Sequence, residues 1–176
     1  MRDGWELIES ITEYETGWYE GGYDLLEQPD GSRKRYYWAA LPPAVVIVAV
    51  DDSEVVMVEQ YRPAIREHCL ELPAGLVEGD ESYAAAGARE LREETGLDPE
   101  EVTLLEEFWC STGVLRHRRG IVFADGLESV EVDRDSNEFL TIRRVPLAEA
   151  LERARADPAN DATIEGLLLA ERDGLL

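Results

Sequence analysis

Residues 75 to 97 run GLVEGDESYAAAGARELREETGL, with three glutamates, Glu90, Glu93 and Glu94, crowded near the end. The spacing from 82 to 95 is helical, and Gly96 stands where a glycine in the left-handed conformation ends a helix. At about 100° per residue, Ala84, Ala88, Leu91 and Thr95 form a narrow stripe suited to packing on a sheet. The glutamates fall on the opposite side, where like charges three and four residues apart weaken a helix by about 0.2–0.5 kcal/mol per pair. Two explanations compete. One is a solvated face with i,i+4 ion pairs such as Arg89 to Glu93. The other is a set of carboxylates sharing a hard divalent cation, which takes oxygen ligands.

On either side of this helix the chain has strand character. Upstream, AVVIVAV (44–50) is a continuous β-branched run expected to be buried on both faces, and DDSE turns it into VVMVEQYR as a hairpin over 44–62. LELPAGLVEGD is a short strand running into a loop. Residues 5 to 40 alternate apolar with polar side chains and are interrupted by EGGYD and PDGS, so they predict two or three antiparallel strands. Downstream, VTLLEEFWCS, GIVFADGL and LTIRRV are further strands, and LAEALERARA and DATIEGLLLAERDG are helices. The order of elements predicts an α+β, or mixed α/β, protein: a mixed β-sheet sandwiched by helices, preceded by an N-terminal antiparallel strand subdomain. The boundaries expected are 1–42 and 43–176.

Composition narrows the function classes. The chain has 176 residues, is 44% hydrophobic, and carries a net charge of −22 with Lys34 as its single lysine. Such a surface repels nucleic acid and anionic membranes, so neither is expected as a partner. It suits a cytoplasm at high salt, where the screening length falls to about 3 Å near 1 M. No apolar stretch approaches a membrane span, and MRDGWELIES lacks the layout of a signal peptide, so a soluble cytoplasmic location is expected. Cys69 and Cys110 form no CxxC pair or zinc spacing and are expected to be small buried residues.

The wider spacing around the helix decides between the two explanations. Gly75, Glu81, Arg89-Glu90-Leu91, Glu93-Glu94 and Gly96-Leu97 match the Nudix box at every specified position, with seven fixed identities in 23 residues. The chain therefore resembles the Nudix hydrolases. The resemblance implies the Nudix fold and a box that binds Mg²⁺ or Mn²⁺ against a diphosphate. It also implies Glu90 and Glu94 as principal metal ligands, Glu93 sharing, Glu81 as an outer ligand or partner of Arg89, and a backbone carbonyl near Gly75. Metals of this kind neutralise phosphate charge and lower the pKa of an attacking water.

Beyond the box, LLEQPDGSRKRYYWAALPPAVVIVAVDD, VVMVEQYRPAI, CLELPAGLVEGDE, VPLAEAL and DATIEGLLLA are similar to the ADP-ribose pyrophosphatase branch over roughly residues 25–170. That likeness implies a homodimer exchanging its N-terminal strands, and a phosphate contact from Arg62. It implies hydrolysis of ADP-ribose or a related nucleoside diphosphate sugar to a nucleoside monophosphate and a sugar phosphate. It also implies a base from an acidic loop, here ESVEVDRDSNE, with Glu138 and Asp135 nearest and Asp133 behind them; Glu90 is the alternative. The chain departs from the branch at STGVLRHRRG (111–120), where Thr112 replaces a proline and Arg116, His117, Arg118 and Arg119 follow. These bases either pair with surface carboxylates or, through Arg116 and Arg118, bind extra phosphate. The second case favours a more anionic nucleotide derivative than ADP-ribose, and the altered turn leaves open a dinucleoside polyphosphate or nucleoside triphosphate substrate. A nucleotide sensor would need a further DNA-binding segment, and a Nudix-type isomerase would need cysteine and glutamate placements that are not identified here.

Overall fold

The computed structural model describes residues 4–131 and 139–176. The β-branched run after Pro43 becomes strand β4 (Ala44–Asp51), in which Val45 through Ala49 are at most 4% exposed. A strand with no polar side chain to offer water needs cover on both faces. On one edge β4 pairs in parallel with β10 (Arg118–Ser129), Ile47 lying opposite Val122. On the other it pairs antiparallel with β7 (Ala74–Leu76), then at Val50–Val55 and Asp51–Glu54 with β5 (Glu54–Arg62). The expected hairpin thus opens after its turn, and β5 goes on to pair with β6 (Glu67–Glu71) and β11 (Leu140–Pro146). Strand β8 (Leu97–Trp109) completes the order β11-β5-β4-β10-β8.

Helices cover both faces, because alternate residues of a strand point to opposite sides. Helix α1 (Tyr83–Thr95) lies on the side of Ile47 and Val122; a Cβ at its Gly87 would sit 2.7 Å from Val122. Helix α3 (Asp161–Arg172) lies on the other, where a Cβ at Gly166 would sit 2.7 Å from Leu72 and 3.2 Å from Val48. Helix α2 (Leu147–Ala154) packs on α3 and β11. The expected α+β architecture, a mixed sheet sandwiched by helices, is what the chain adopts. No helix among the described residues is long and apolar enough to cross a membrane.

Helix α1 begins where Ser82 accepts a hydrogen bond from the Ala85 amide, and ends at Gly96 with φ of 69°. One feature departs from the sequence pattern. The buried residues are Ala86, Gly87, Glu90, Leu91, Glu94 and Thr95, so Ala84 and Ala88 lie at the margin of the stripe. Two of the three glutamates belong to the covered side, because β7 packs against α1 and roofs the face that helical geometry alone assigns to solvent.

The chain divides into two compact units, Met1–Pro43 with Phe108–Arg118, and Ala44–Glu107 with Arg119–Leu176. In the first, β1 (Glu6–Glu15), β2 (Glu20–Glu27) and β3 (Arg33–Ala40) form an antiparallel meander. The short β9 (Leu115–Arg116) adds to it in parallel beside Ala39 and Ala40. The PDGS turn closes as expected, with the Gln28 amide donating to the Ser32 carbonyl at 2.7 Å and Asp30 accepting from Ser32.

Candidate active site

Five residues, Glu71-Leu72-Pro73-Ala74-Gly75, run from β6 into β7 and organise the site. Gly75 comes first because only glycine fits: a Cβ there would lie 1.9 Å from the carboxyl carbon of Glu90. The bare backbone is one wall of a cradle holding that carboxylate. One residue earlier, the Ala74 amide donates to Glu94 Oε2 at 3.3 Å. The Pro73 carbonyl accepts from the Ile47 amide at 2.9 Å, fixing the segment to the central strand. The Leu72 amide donates to Thr163 Oγ1 at 3.1 Å, fixing it to α3.

Arg89 gathers the remaining acids. Its guanidinium donates to Glu81 Oε1 at 2.7 Å, Glu90 Oε1 at 2.9 Å and Glu93 Oε2 at 3.1 Å, and to the Leu76 carbonyl at 2.8 Å. Glu81 also accepts from the Glu78 amide at 2.7 Å. The Arg89 bond holds the Glu81 carboxyl below its usual range, against the opposing effect of burial. In turn Glu81, ahead of Glu90, raises the Arg89 guanidinium well above its ordinary value. Three carboxylates share one guanidinium here, so the cluster keeps an excess of negative charge in a partly covered place.

That donor set fits a hard divalent cation in chemistry: carboxylate oxygens on one helix face, beside backbone with no Cβ in the way. The carboxylates are drawn to Arg89 and to backbone amides; among the described residues, no three His, Cys, Asp or Glu side chains are grouped so as to hold a metal ion in this arrangement.

Arg62 stands at the end of β5 with its side chain 43% exposed. Its Nε donates to Glu71 Oε2 at 2.7 Å, and its Nη2 lies 2.6 Å from the same oxygen as an ion pair. Glu71 is itself 3% exposed, and it also accepts from Gln60 Nε2 at 3.1 Å and from the Asn160 amide group. Since Glu71 and Gly75 are four residues apart, the Arg62 anchor and the Glu90 cradle lie within about 14 Å along the chain.

The basic stretch is spread over separate partners. Arg116 pairs with Asp24 and stacks 4.0 Å from the Trp38 ring centroid, and Arg118 lies 5.0 Å from that of Trp109. His117 is buried, with Nδ1 2.8 Å from the Pro42 carbonyl oxygen. In the other unit, Arg119 pairs with Glu165 at 3.0 Å and Asp161 at 3.6 Å. Glu138, Asp135 and Asp133 lie outside the described residues. Cys69 and Cys110 are buried, as expected, and burial pushes the Cys69 thiol up.

The Nudix domain matches residues 40–167, which takes in the cradle, the Arg89 cluster and the Arg62 anchor together. The chain belongs to the Nudix family. It is 31% identical over 140 residues to the ADP-ribose pyrophosphatase of Bacillus subtilis, covering 78% of this chain and 76% of that one. It is 32% identical over 145 residues to the CMP-5'-(N-acetyl-N-hydroxy-3-aminopropyl)phosphonate hydrolase of Streptomyces rubellomurinus, covering 81% and 70%. In fold it matches a crystal structure of an ADP compounds hydrolase with a TM-score of 0.87 over 98% of this chain and 97% of the other, at 24% identity. The protein is thus a Nudix hydrolase of the ADP-ribose pyrophosphatase-like branch.

Two residues of this Nudix site escape a sequence reading, Glu71 and Asn160. Glu71 has a signal, as a lone acid between Leu70 and Leu72. Asn160 has only the signature of a helix cap, and its partner is 89 residues away.

Proposed function

We propose that the protein hydrolyses the diphosphate bond of ADP-ribose or a related nucleoside diphosphate sugar, releasing a nucleoside monophosphate and a sugar phosphate. One observation carries this reading: the 71–75 segment ties an anchored, outward-reaching arginine and an acidic, glycine-walled cradle to one rigid piece of backbone. A diphosphate needs both, a cationic contact and a place for a metal that balances its remaining charge.

Glu90, Glu93, Glu94 and Glu81, with the backbone at Gly75, would hold Mg²⁺ or Mn²⁺. Bound there, such an ion supplies charge neutralisation and a more acidic water. Arg62 binds and orients a phosphate through the N–H groups that Glu71 leaves over. The proton of the attacking water passes to Glu138 or Asp135, or to Glu90. The strands over 1–42 pair two copies into a homodimer, a reading supported by the exposure of Leu7, Ile8, Tyr14 and Tyr37 on the first unit. Sedimentation of the purified protein as a monomer would remove it.

The competing reading, a dinucleoside polyphosphate or nucleoside triphosphate substrate, rests on Arg116, whose side chain is 44% exposed, and on Arg118 beside the exposed Trp109. A substrate panel with Mg²⁺ and with Mn²⁺, run at low salt and near 1 M, separates the two. AMP plus ribose 5-phosphate from ADP-ribose is the expected outcome, with activity favoured at high salt. A polyphosphate preference supports the competitor, and tight binding without hydrolysis defeats both.

A further inference from the structure

Beyond the cradle and Arg62, one partly buried polar chain has no part in the reaction so far described. The Asn160 side chain makes two bonds whose partners fix its orientation. Its oxygen accepts from the Thr163 amide at 3.1 Å, capping α3, and its nitrogen donates to Glu71 Oε1. The other Glu71 oxygen takes the Arg62 Nε bond and the Nη2 ion pair. The first turn of α3 is held in place from two further sides: Thr163 accepts from the Leu72 amide, and Arg119 pairs with Asp161 and Glu165. Asn160 is therefore tied to a helix that cannot shift without breaking contacts to both Leu72 and β10.

We propose that Asn160, acting through Glu71, is a positioning residue that presets the Arg62 guanidinium for phosphate. The proposal rests on the reading of Arg62 as a substrate contact. An unrestrained arginine has many rotamers to lose on binding. Glu71 holds the Nε–Nη2 edge of the fork and leaves the Nη1 group over, on a side chain that is 43% exposed. A lone carboxylate would hold that edge in more than one way. The bonds from Asn160 and Gln60 leave Glu71 one orientation. The restraint is thus built into the free protein, so that binding does not have to supply it.

Asn160→Ser separates this role from helix capping, because serine is also a good cap but cannot reach Glu71 as a donor. Two readouts are needed. The first uses no substrate: hydrogen exchange at the Arg62 Nε–H, its NMR signal identified by loss in Arg62→Lys. Exchange is expected to be about tenfold faster in Asn160→Ser, and an unchanged rate overturns the proposal. The second is turnover of ADP-ribose. Asn160→Ser should raise KM about two- to tenfold with kcat within about twofold, and should add nothing in an Arg62→Ala background. An undiminished effect in that background overturns the proposal, since Asn160 would then act on something other than Arg62. Absence of any nucleoside diphosphate hydrolysis by the wild type refutes the proposed function instead, and the exchange measurement still decides whether Asn160 holds Arg62.

Discussion

The acidic face of α1 and the basic stretch Arg116–Arg119 are equally crowded with like charge, and the fold treats them in opposite ways. A helix brings residues three and four apart onto one face, so Glu90, Glu93 and Glu94 stay together, with Arg89 and Glu81 as near neighbours in sequence. The basic stretch instead straddles the end of β9 and the start of β10, with His117 in neither, and its four side chains separate. Arg116 goes to Asp24 and Trp38, His117 to a backbone carbonyl, Arg118 to Trp109 and Arg119 to α3. The same local density of charge becomes a concentrated field in one place and scattered contacts, two of them ion pairs, in the other. Only the first keeps an excess of one charge in one place.

The largest effect is expected where that field is reduced. Glu90→Gln keeps the shape but removes a buried carboxylate, and kcat for ADP-ribose should fall by about a hundredfold or more. Relief of like-charge crowding should hold the melting temperature within about 3 °C of wild type. If kcat survives while Glu138→Gln or Asp135→Asn abolishes it, the chemistry lies in the acidic loop and the α1 face is only a platform. Next comes Gly75→Ala. The added methyl would overlap the Glu90 carboxyl carbon at 1.9 Å, so either the carboxylate or β7 must move. Overpacking of this kind costs about 1–3 kcal/mol, and a displacement near 1 Å in the site costs about a hundredfold in turnover. A fully active, equally stable Gly75→Ala enzyme would show that the cradle has slack.

How far the sequence reaches follows the same contrast. The box is legible because its geometry is local: the Arg89 partners lie within 13 residues, Glu90 and Glu93 on its own helix and Glu81 and the Leu76 carbonyl in the segment just before it. The central strand is legible because an unbroken β-branched run has no solvent side. The burial of Glu90 and Glu94 is not legible, since β7 is held over α1 by pairing with β4, which no periodicity in residues 82–95 encodes. The Arg116 and Arg119 partners, at separations of 92 and 46 residues, are beyond any local pattern. Asn160 marks the limit. Its cap is visible in sequence, while the bond to Glu71 exists only once β6 and α3 have met.

The basic side of the comparison is sharpened by Arg116→Ala. With its charge already set against Asp24 and its face on Trp38, Arg116 should affect ADP-ribose and dinucleoside tetraphosphate alike. The expected change in kcat/KM is about threefold or less for each, the scale of an exposed ion pair. A loss of about tenfold confined to the more anionic substrate would show that Arg116 reads phosphate after all.

The smallest effect concerns the partner that occupies it. Burial pushes the Asp24 carboxyl up, but hydrogen bonds from Ser10, Arg116 and Trp38 outweigh it and hold the carboxyl below its ordinary value of 3.8. A carboxylate lowered on folding contributes stability that is complete above the unfolded value and is lost as pH falls through the folded one. The contribution should therefore be intact at neutral pH and drain away only below about pH 4. For a partly exposed pair it amounts to about 1 kcal/mol or less. Thermal melts followed by the fluorescence of the first unit's tryptophans, from about pH 5 down to about pH 3, should show a shallower acid limb in Asp24→Asn than in wild type. Arg116→Ala should fall between them, because Ser10 and Trp38 still donate to the carboxylate. If Arg116→Ala flattens the limb as much as Asp24→Asn does, the arginine alone sets the Asp24 carboxyl, and its commitment to that pair is stronger than three shared donors imply.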